Sequence, residues 1–388
     1  MTSFITNTFN SFFESEKASG VLLIACTIFS LALANLPIGE DYLRLWHFQL
    51  VGLSVEEWVN DGLMAVFFLL IGLELERELY CGELSSLKSA LLPIFAAIGG
   101  ICVPALIHFS LNGNAPKRAG MGIPMATDIA FALGALALMG SRVPSSLKVF
   151  LAALAVMDDL GAIIVIAVFY TAQVSFAYLF AAAAVFTLLL AMNRFLRVRA
   201  LTPYLIGGAL MWFLMLKSGV HATIAGVLLA FAIPFSTKQE DTSSPSHRLE
   251  HFLHRPVAFF ILPVFALAST GVAIAPDWAH QLVSVNSLGI LGGLVIGKPL
   301  GISLMCFLAV TIGVCKLPPD LGWRHVVGAG MLGGIGFTMS IFITNLAFNG
   351  SAELVSASKM AILLASLCSG LLGIAWLKIY GGPVVKNQ

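Results

Sequence analysis

Two adjacent aspartates, Asp158 and Asp159, stand in the middle of an apolar run from Leu147 to Tyr170. A run of that length matches a bilayer, because about 20 helical residues at 1.5 Å each cross the roughly 30 Å hydrocarbon layer. An ionised carboxylate at mid-membrane costs at least about 2.5 kcal/mol on insertion scales, and two side by side also repel each other. Such a pair is there to bind something positive.

The rest of the chain is equally apolar. Hydrophobic residues make up 59% of the 388 and charged residues 11%, where a soluble domain carries about a quarter. This is the composition of a polytopic membrane protein. A net charge of +1 argues against a nucleic-acid partner. Six scattered cysteines without a CxxC pair read as small buried hydrophobes rather than as disulfides or a metal site. Ala32-Leu33-Ala34 resembles a signal cleavage site, but Glu14 and Glu16 against Lys17 give the preceding segment the wrong sign. The first apolar run is therefore expected to be a membrane helix.

Twelve spans are expected in all. The first six lie near Gly20–Leu36, Val59–Leu79, Leu91–Leu111, Met121–Gly140, Leu147–Tyr170 and Phe176–Met192. The others lie near Leu201–Leu216, Val220–Phe235, Val257–Ala275, Leu288–Ile312, Val326–Phe348 and Leu354–Ile379. Spans seven and eight are short and separated only by Lys217-Ser-Gly219. With the N-terminus inside, fifteen of the 21 Lys and Arg fall on the cytoplasmic side, so both termini are expected there. Alternation around Val51-Gly52, within Trp46–Glu56, suits a small extracytoplasmic β-hairpin or an irregular loop. The polar stretch 236–248 reads as a cytoplasmic connector between two halves.

Charges inside the spans locate the chemistry. Asp158 and Asp159 diverge by about 100° around a helix, so one faces a cavity while the other pairs sideways; a purely structural buried pair is the alternative. Asp128 follows Pro124 and a cluster of glycines early in span four, which breaks a continuous helix. Gly333, Gly334 and Gly336 weaken span eleven in the same way, although glycines also serve as packing surfaces. Interruptions seven spans apart suggest that spans three to five and ten to twelve are inverted repeats, the layout of a secondary transporter with its site at the midplane. Lys298 is the one cation within a span and needs a carboxylate or the negative end of a helix. Three aspartates against one lysine leave an acidic cavity suited to a cation in transit. Asp61 lies near the outer end of span two, and Glu74, Glu76, Arg77 and Glu78 near its inner end, where Glu76 is expected to snorkel to the interface. His221 starts span eight with a side chain of the type suited to titration near neutral pH, a structural role being the alternative, and Glu250, His251 and His254 form another titratable group at the start of span nine.

With these residues placed, the chain resembles the NhaA family of bacterial sodium/proton antiporters, itself a standard example of inverted-repeat transport proteins. The resemblance runs from about Trp58 to Lys378. It is carried by Asn60-Asp61-Gly-Leu-Met-Ala-Val-Phe-Phe68, Ala126-Thr-Asp-Ile-Ala-Phe-Ala-Leu-Gly134 and Asp158-Asp159-Leu-Gly-Ala. Ser218-Gly-Val-His-Ala, Ile296-Gly-Lys-Pro-Leu-Gly-Ile-Ser303 and Gly334-Ile-Gly-Phe-Thr-Met-Ser340 complete it.

The resemblance implies a single transmembrane transporter domain over residues 1–388, with spans three to five and ten to twelve as the core bundle. Asp159 would be the principal sodium and proton carboxylate, with Asp158 beside it, carrying a proton or paired with Lys298. Thr127, Asp128, Gly334 and Gly336 would support the site at the two broken helices, and Asp61 would lie in the outer cavity. Glu74, Arg77, Glu78, His221, Glu250, His251 and His254 would belong to the region that tunes the pH response. The hairpin around Trp46–Val55 looks like the family's dimer contact. The expected cargo is Na+, Li+ and H+, with no cofactor and no enzymatic reaction, in the bacterial inner membrane. Glu76 stands where a lysine is associated with the family, and Lys238-Gln-Glu-Asp241 is less basic than its pattern; both bear on the pH threshold.

Other readings of paired carboxylates in lipid fit less well. Intramembrane aspartyl proteases place them on different helices, usually with a Gly-x-Gly-Asp motif. Prenyl-transferring enzymes want Asp-Asp-x-x-Asp, whereas here the pair is followed by Leu160-Gly161-Ala162. A cation channel would carry rings of acid.

Overall fold

The computed structural model describes residues 2–114, 116–171, 174–236, 244–274 and 278–382, side chains at 2–17, 83, 87 and 141 apart. The chain is mostly helical, and it is a multi-pass membrane protein. Among the described residues nine helices are long and apolar enough to span a bilayer, or eleven when two bent pairs are each taken as one span. Buried helices in lipid keep every backbone hydrogen bond internal, which is why runs rich in Leu, Ala and Phe settle into this one element type.

The helices are α1 (Thr2–Ala34) and α2 (Gly39–His47), α3 (Val55–Tyr80), α4 (Leu87–Leu111), α5 (Ile129–Ala137) and α6 (Ser145–Phe169). There follow α7 (Phe176–Arg194), α8 (Leu201–Ser218), α9 (Ile224–Ala232), α10 (Pro245–Ser269) and α11 (Val285–Thr311). The last are α12 (Trp323–Gly333), α13 (Phe337–Ala347) and α14 (Ala352–Tyr380). Strands β1 (Gln49–Leu50) and β2 (Leu53–Ser54) form an antiparallel hairpin between α2 and α3. Val51 and Gly52 turn it with φ of 51° and 81°, the primed geometry that matches strand twist. Ser54 then starts α3 as a capping box, its Oγ accepting from Glu57 N–H while Glu57 accepts from Ser54 N–H.

The eighth expected span differs. Its helix, α9, has nine residues and is about 14 Å long, half a hydrocarbon layer. Gly219, at φ +82°, closes α8 in the left-handed conformation, and residues 220–223 turn before the next helix begins. Most of the connector 236–248, including Lys238–Asp241, lies outside the described residues.

Two compact units emerge. The first comprises Met1–Asn35, Ser86–Ala162 and Thr270–Gln388. In it α4 and α11 cross at glycines: a Cβ on Gly99 would meet Gly301 O at 2.1 Å, and one on Gly301 would meet Gly99 O at 2.1 Å. Side-chain-free contact of this kind lets two backbones approach closely. The second unit comprises Leu36–Ser85 and Ile163–Ser269, where α9 lies against α3 with Gly226 facing Ala65 O.

Widened, π-helical turns interrupt α10 at Val257–Ile261 and α11 at Gly293–Gly297. In each a proline, Pro263 or Pro299, stands two residues further on. The carbonyl four residues before it, which its ring would strike in a regular helix, falls inside the widened turn. Lys298 therefore sits between a π-turn and a proline.

Candidate functional site

In the first unit, α6 carries Asp158 and Asp159, and both are fully buried. Lys298 of α11 is also fully buried. Its ammonium donates to Asp158 Oδ2 in a salt bridge and to Thr127 Oγ1 at 2.9 Å. A lone buried ammonium would be prohibitively costly, and pairing it with a hydrogen-bonded carboxylate offsets that cost. Asp158 is thus paired with Lys298 in this structure.

Thr127 links this pair to a helix end. Its hydroxyl lies 2.6 Å from Asp158 Oδ2 and 2.8 Å from Gly333 O, the last carbonyl of α12. One hydroxyl has one proton, so the two acceptors share it, while Lys298 supplies the bond that Thr127 accepts. Oδ1 of Asp158 takes no hydrogen bond from the described residues; across from it lies Gly100, whose added Cβ would come within 3.6 Å.

The backbone departs from regular α-helix at two places beside this cluster. Lys117–Met125 is a 3-10 run containing Pro124, and Ala126–Asp128 is extended before α5 begins. Asp128 caps α5, its Oδ1 accepting from Phe131 N–H at 3.1 Å. Helices α12 and α13 meet at 46° across residues 334–336. Gly334 is required there, since a Cβ on it would lie 2.4 Å from the backbone Leu294 O, while one on Gly336 would lie 2.2 Å from Ser340 Oγ and would make that side chain turn aside. Ser366 of α14 accepts from Phe337 N–H at 3.1 Å and so caps α13. Nothing in the local sequence singles Ser366 out; the Ser366–Phe337 pair forms only through the fold.

The second unit gathers most of the other titratable residues. Arg77 Nε lies 2.9 Å from Glu250 Oε1, and its NH2 group lies 3.4 Å from Glu78. His254 lies 3.4 Å from Glu74, and His247 lies 3.8 Å from Glu250. Glu76 departs from expectation: it is buried at 6% exposure and accepts from Ser246 Oγ at 3.4 Å rather than snorkelling, because its side of α3 is the one packed on α10. His251 is exposed and takes no part in the ion pairs given above, although it lies one turn before His254 on α10. His221 is elsewhere, with Nε2 2.9 Å from Tyr170 O. Asp61 sits in a π-turn, Trp58–Leu63, where Trp212 donates to its backbone carbonyl at 2.8 Å and stacks on Trp58.

Comparison with known proteins matches the family described as Na+/H+ antiporter 1 over residues 10–377. Over 376 residues the chain is 70% identical to Na(+)/H(+) antiporter NhaA of Dechloromonas aromatica (strain RCB), covering 97% of each chain. It is 56% identical over 385 residues to Na(+)/H(+) antiporter NhaA of Flavobacterium psychrophilum, covering 99% of each. It is also 56% identical over 384 residues to the protein of that name from Cytophaga hutchinsonii, covering 99% of this chain and 98% of the other.

Proposed function

The chain belongs to the Na+/H+ antiporter 1 family, and from that premise we propose that it expels Na+ or Li+ from the cell in exchange for incoming H+. The observation that carries this reading is the fully buried group Asp158, Asp159 and Lys298, joined through Thr127 to the end of a helix.

A carboxylate holds either a proton or an oxygen-seeking cation such as Na+, one at the expense of the other. Asp159 is the principal exchanging carboxylate in this scheme, and Asp158 with Lys298 is the group that changes charge beside it. Arrival of Na+ adds a positive charge next to Lys298, which favours release of a proton from the ammonium or from the Asp158 pair. With two protons moved for each Na+, the cycle carries net charge and the membrane potential drives it.

Alternating access follows from the broken helices of the proposed twelve-span, inverted-repeat architecture, with spans three to five and ten to twelve as the moving core. Thr127, Asp128, Gly334 and Gly336 hold those breaks, and Asp61 lies in the outward pathway. Glu74, Arg77, Glu78, Glu250 and His254, whose ion pairs support the reading, form the pH-responsive group; His221 and His251 belong to it only through the family resemblance. The protein works in the bacterial inner membrane with both termini cytoplasmic, without a cofactor or enzymatic reaction. It pairs as a homodimer through the hairpin, where Phe48, Leu50 and Val51 are exposed.

Sodium-induced dissipation of a pH gradient in everted vesicles tests the reading. The parent responds increasingly as pH rises, and Asp159→Asn abolishes the response. A variant that still exchanges at the parental rate sinks the assignment of Asp159; a parent silent at every pH sinks antiport itself.

A further inference from the structure

We propose that His325 is a titratable positioning residue: its neutral imidazole holds the first turn of α12, and protonation releases that turn. Gly322 N–H donates to His325 Nδ1 at 2.9 Å, and His325 N–H donates back to Gly322 O at 2.9 Å. A backbone N–H can only donate, so Nδ1 carries its lone pair. The ring proton is then on Nε2, which lies 3.2 Å from Gly381 O, just beyond the end of α14. Both nitrogens are thereby assigned, in a side chain only 2% exposed. The imidazole does the work of an N-cap side chain, offering an acceptor to an N–H that the helix itself leaves unpaired.

An imidazolium carries protons on both nitrogens. Nδ1–H would then face Gly322 N–H, donor against donor, and the new positive charge would sit at the positive end of a helix. Among the described residues it meets no carboxylate, and the negative pole beside it is the carbonyl end of α14, on the Nε2 side. Arg324 on the same helix lies over the Tyr380 ring at 5.8 Å. The last turns of α14 bring Lys378 and Tyr380, α11 alongside brings Lys298 and Cys306, and α5 brings no titratable side chain. Asp320, in the preceding loop, accepts from Ser146 Oγ at 2.7 and 2.9 Å. Among the described residues no carboxylate pairs with His325. The cap is complete while the ring is neutral, and is lost as the ring takes up a proton on falling pH.

The other end of α12 is Gly333, whose carbonyl accepts from Thr127. Eleven residues of helix, about 16 Å, thus connect the His325 cap to the cluster around Lys298. The helix has little freedom to absorb a loosened end, since a Cβ on Gly328 would meet Leu377 at 2.4 Å and one on Gly330 would meet Pro299 at 2.9 Å. The cap stands on geometry alone; its effect on transport rests on the antiport reading above.

Hydrogen exchange of the full-length protein, followed by mass spectrometry from about pH 5 to 8, the range in which histidines titrate, separates the two. After correction for intrinsic rates, the parent loses protection at residues 322–328 by about fivefold toward acid pH, the change that loss of a helix cap brings. In His325→Gln, Oε1 replaces Nδ1 as a non-titrating acceptor, so protection holds across the range and transport in vesicles extends to lower pH. His325→Leu is unprotected throughout. A His325→Gln variant that follows the parent's pH dependence of exchange, or a His325→Leu variant protected like the parent at pH ~8, overturns the cap. Exchange as expected with identical transport profiles in parent and His325→Gln overturns the positioning role. A parent that transports at no pH fails the antiport reading and leaves the exchange result standing.

Discussion

Thr338 gives Asp128 two hydrogen bonds, one from its backbone N–H at 3.0 Å and one from its hydroxyl at 2.5 Å. The same carboxylate accepts from Phe131 N–H, and Asp128 N–H returns to Ile335 O at 2.6 Å. One buried side chain therefore serves the first turns of both α5 and α13. Helix N-termini leave N–H groups unpaired and carry partial positive charge; where no water reaches, a carboxylate answers both needs at once.

Asp128→Ala strands the N–H groups of Phe131 and Thr338 in a buried site. Unmade bonds to a charged acceptor cost on the order of 2–4 kcal/mol together, so the variant should melt well below the parent in detergent. Asp128→Asn retains an acceptor oxygen and should lose less than half as much. Equal melting of parent and alanine variant would show that the shared cap does not hold the two helices.

Thr127 relays between Lys298, Asp158 and Gly333 O, and a hydroxyl is the only group of its size that both donates and accepts there. Thr127→Val keeps the shape and removes the relay, leaving Gly333 O and one ammonium proton unmatched. Transport in vesicles should fall by about tenfold or more, as for loss of one hydrogen bond to a charged group. Thr127→Ser should retain most of it. A valine variant as active as the serine one would reduce Thr127 to a packing residue.

The features that disturb an apolar run were plain in the sequence. Asp158, Asp159, Lys298, Pro124 and the glycines at 333–336 are each expensive or helix-breaking in lipid, so each marks its own position, and Val51-Gly52 marks its turn. Partnership was not legible. Asp158 and Lys298 lie 140 residues apart, and Thr127 and Gly333 lie 206 apart; which of two adjacent aspartates meets the lysine depends on the phase of α6 against α11. In the second unit the phase of α10 against α3 likewise decides that His254 meets Glu74 while His251 is exposed, and that Glu76 is buried. Ser366, in the middle of α14, and His325, in the first turn of α12, escaped notice because single polar residues in such places are common, and only the neighbour each one caps distinguishes it.

The Gly99–Gly301 crossing predicts a steep cost for a single methyl group. In Gly99→Ala the new Cβ would stand 2.1 Å from Gly301 O, a backbone atom that cannot turn aside. The helices must separate, at about 1–3 kcal/mol, and Lys298, one turn from Gly301, moves with α11. Gly99→Ala should therefore lower both melting temperature and sodium-dependent transport. Gly113→Ala, whose added Cβ meets only Phe109 O at 3.8 Å, is the control. Parental behaviour in both variants would mean that α4 and α11 do not cross so closely.

Arg77 and Glu250 make the shortest ion pair among the described residues of the second unit, at 2.9 Å. The arginine side chain is 40% exposed and the glutamate 11%, so solvent screens one partner and the pair lies between the surface and buried limits. A double-mutant cycle of Arg77→Gln and Glu250→Gln, read by thermal melting, should give a coupling of about 0.5–1.5 kcal/mol. Raising ionic strength should diminish it only in part, because the buried glutamate end is poorly reached by counter-ions. The single Arg77→Gln change should be worse than Glu250→Gln, since it leaves Glu250, Glu74 and Glu78 together without their shared cation. Additive single effects would show that the arginine's contribution comes from Glu78, 3.4 Å away, rather than from Glu250.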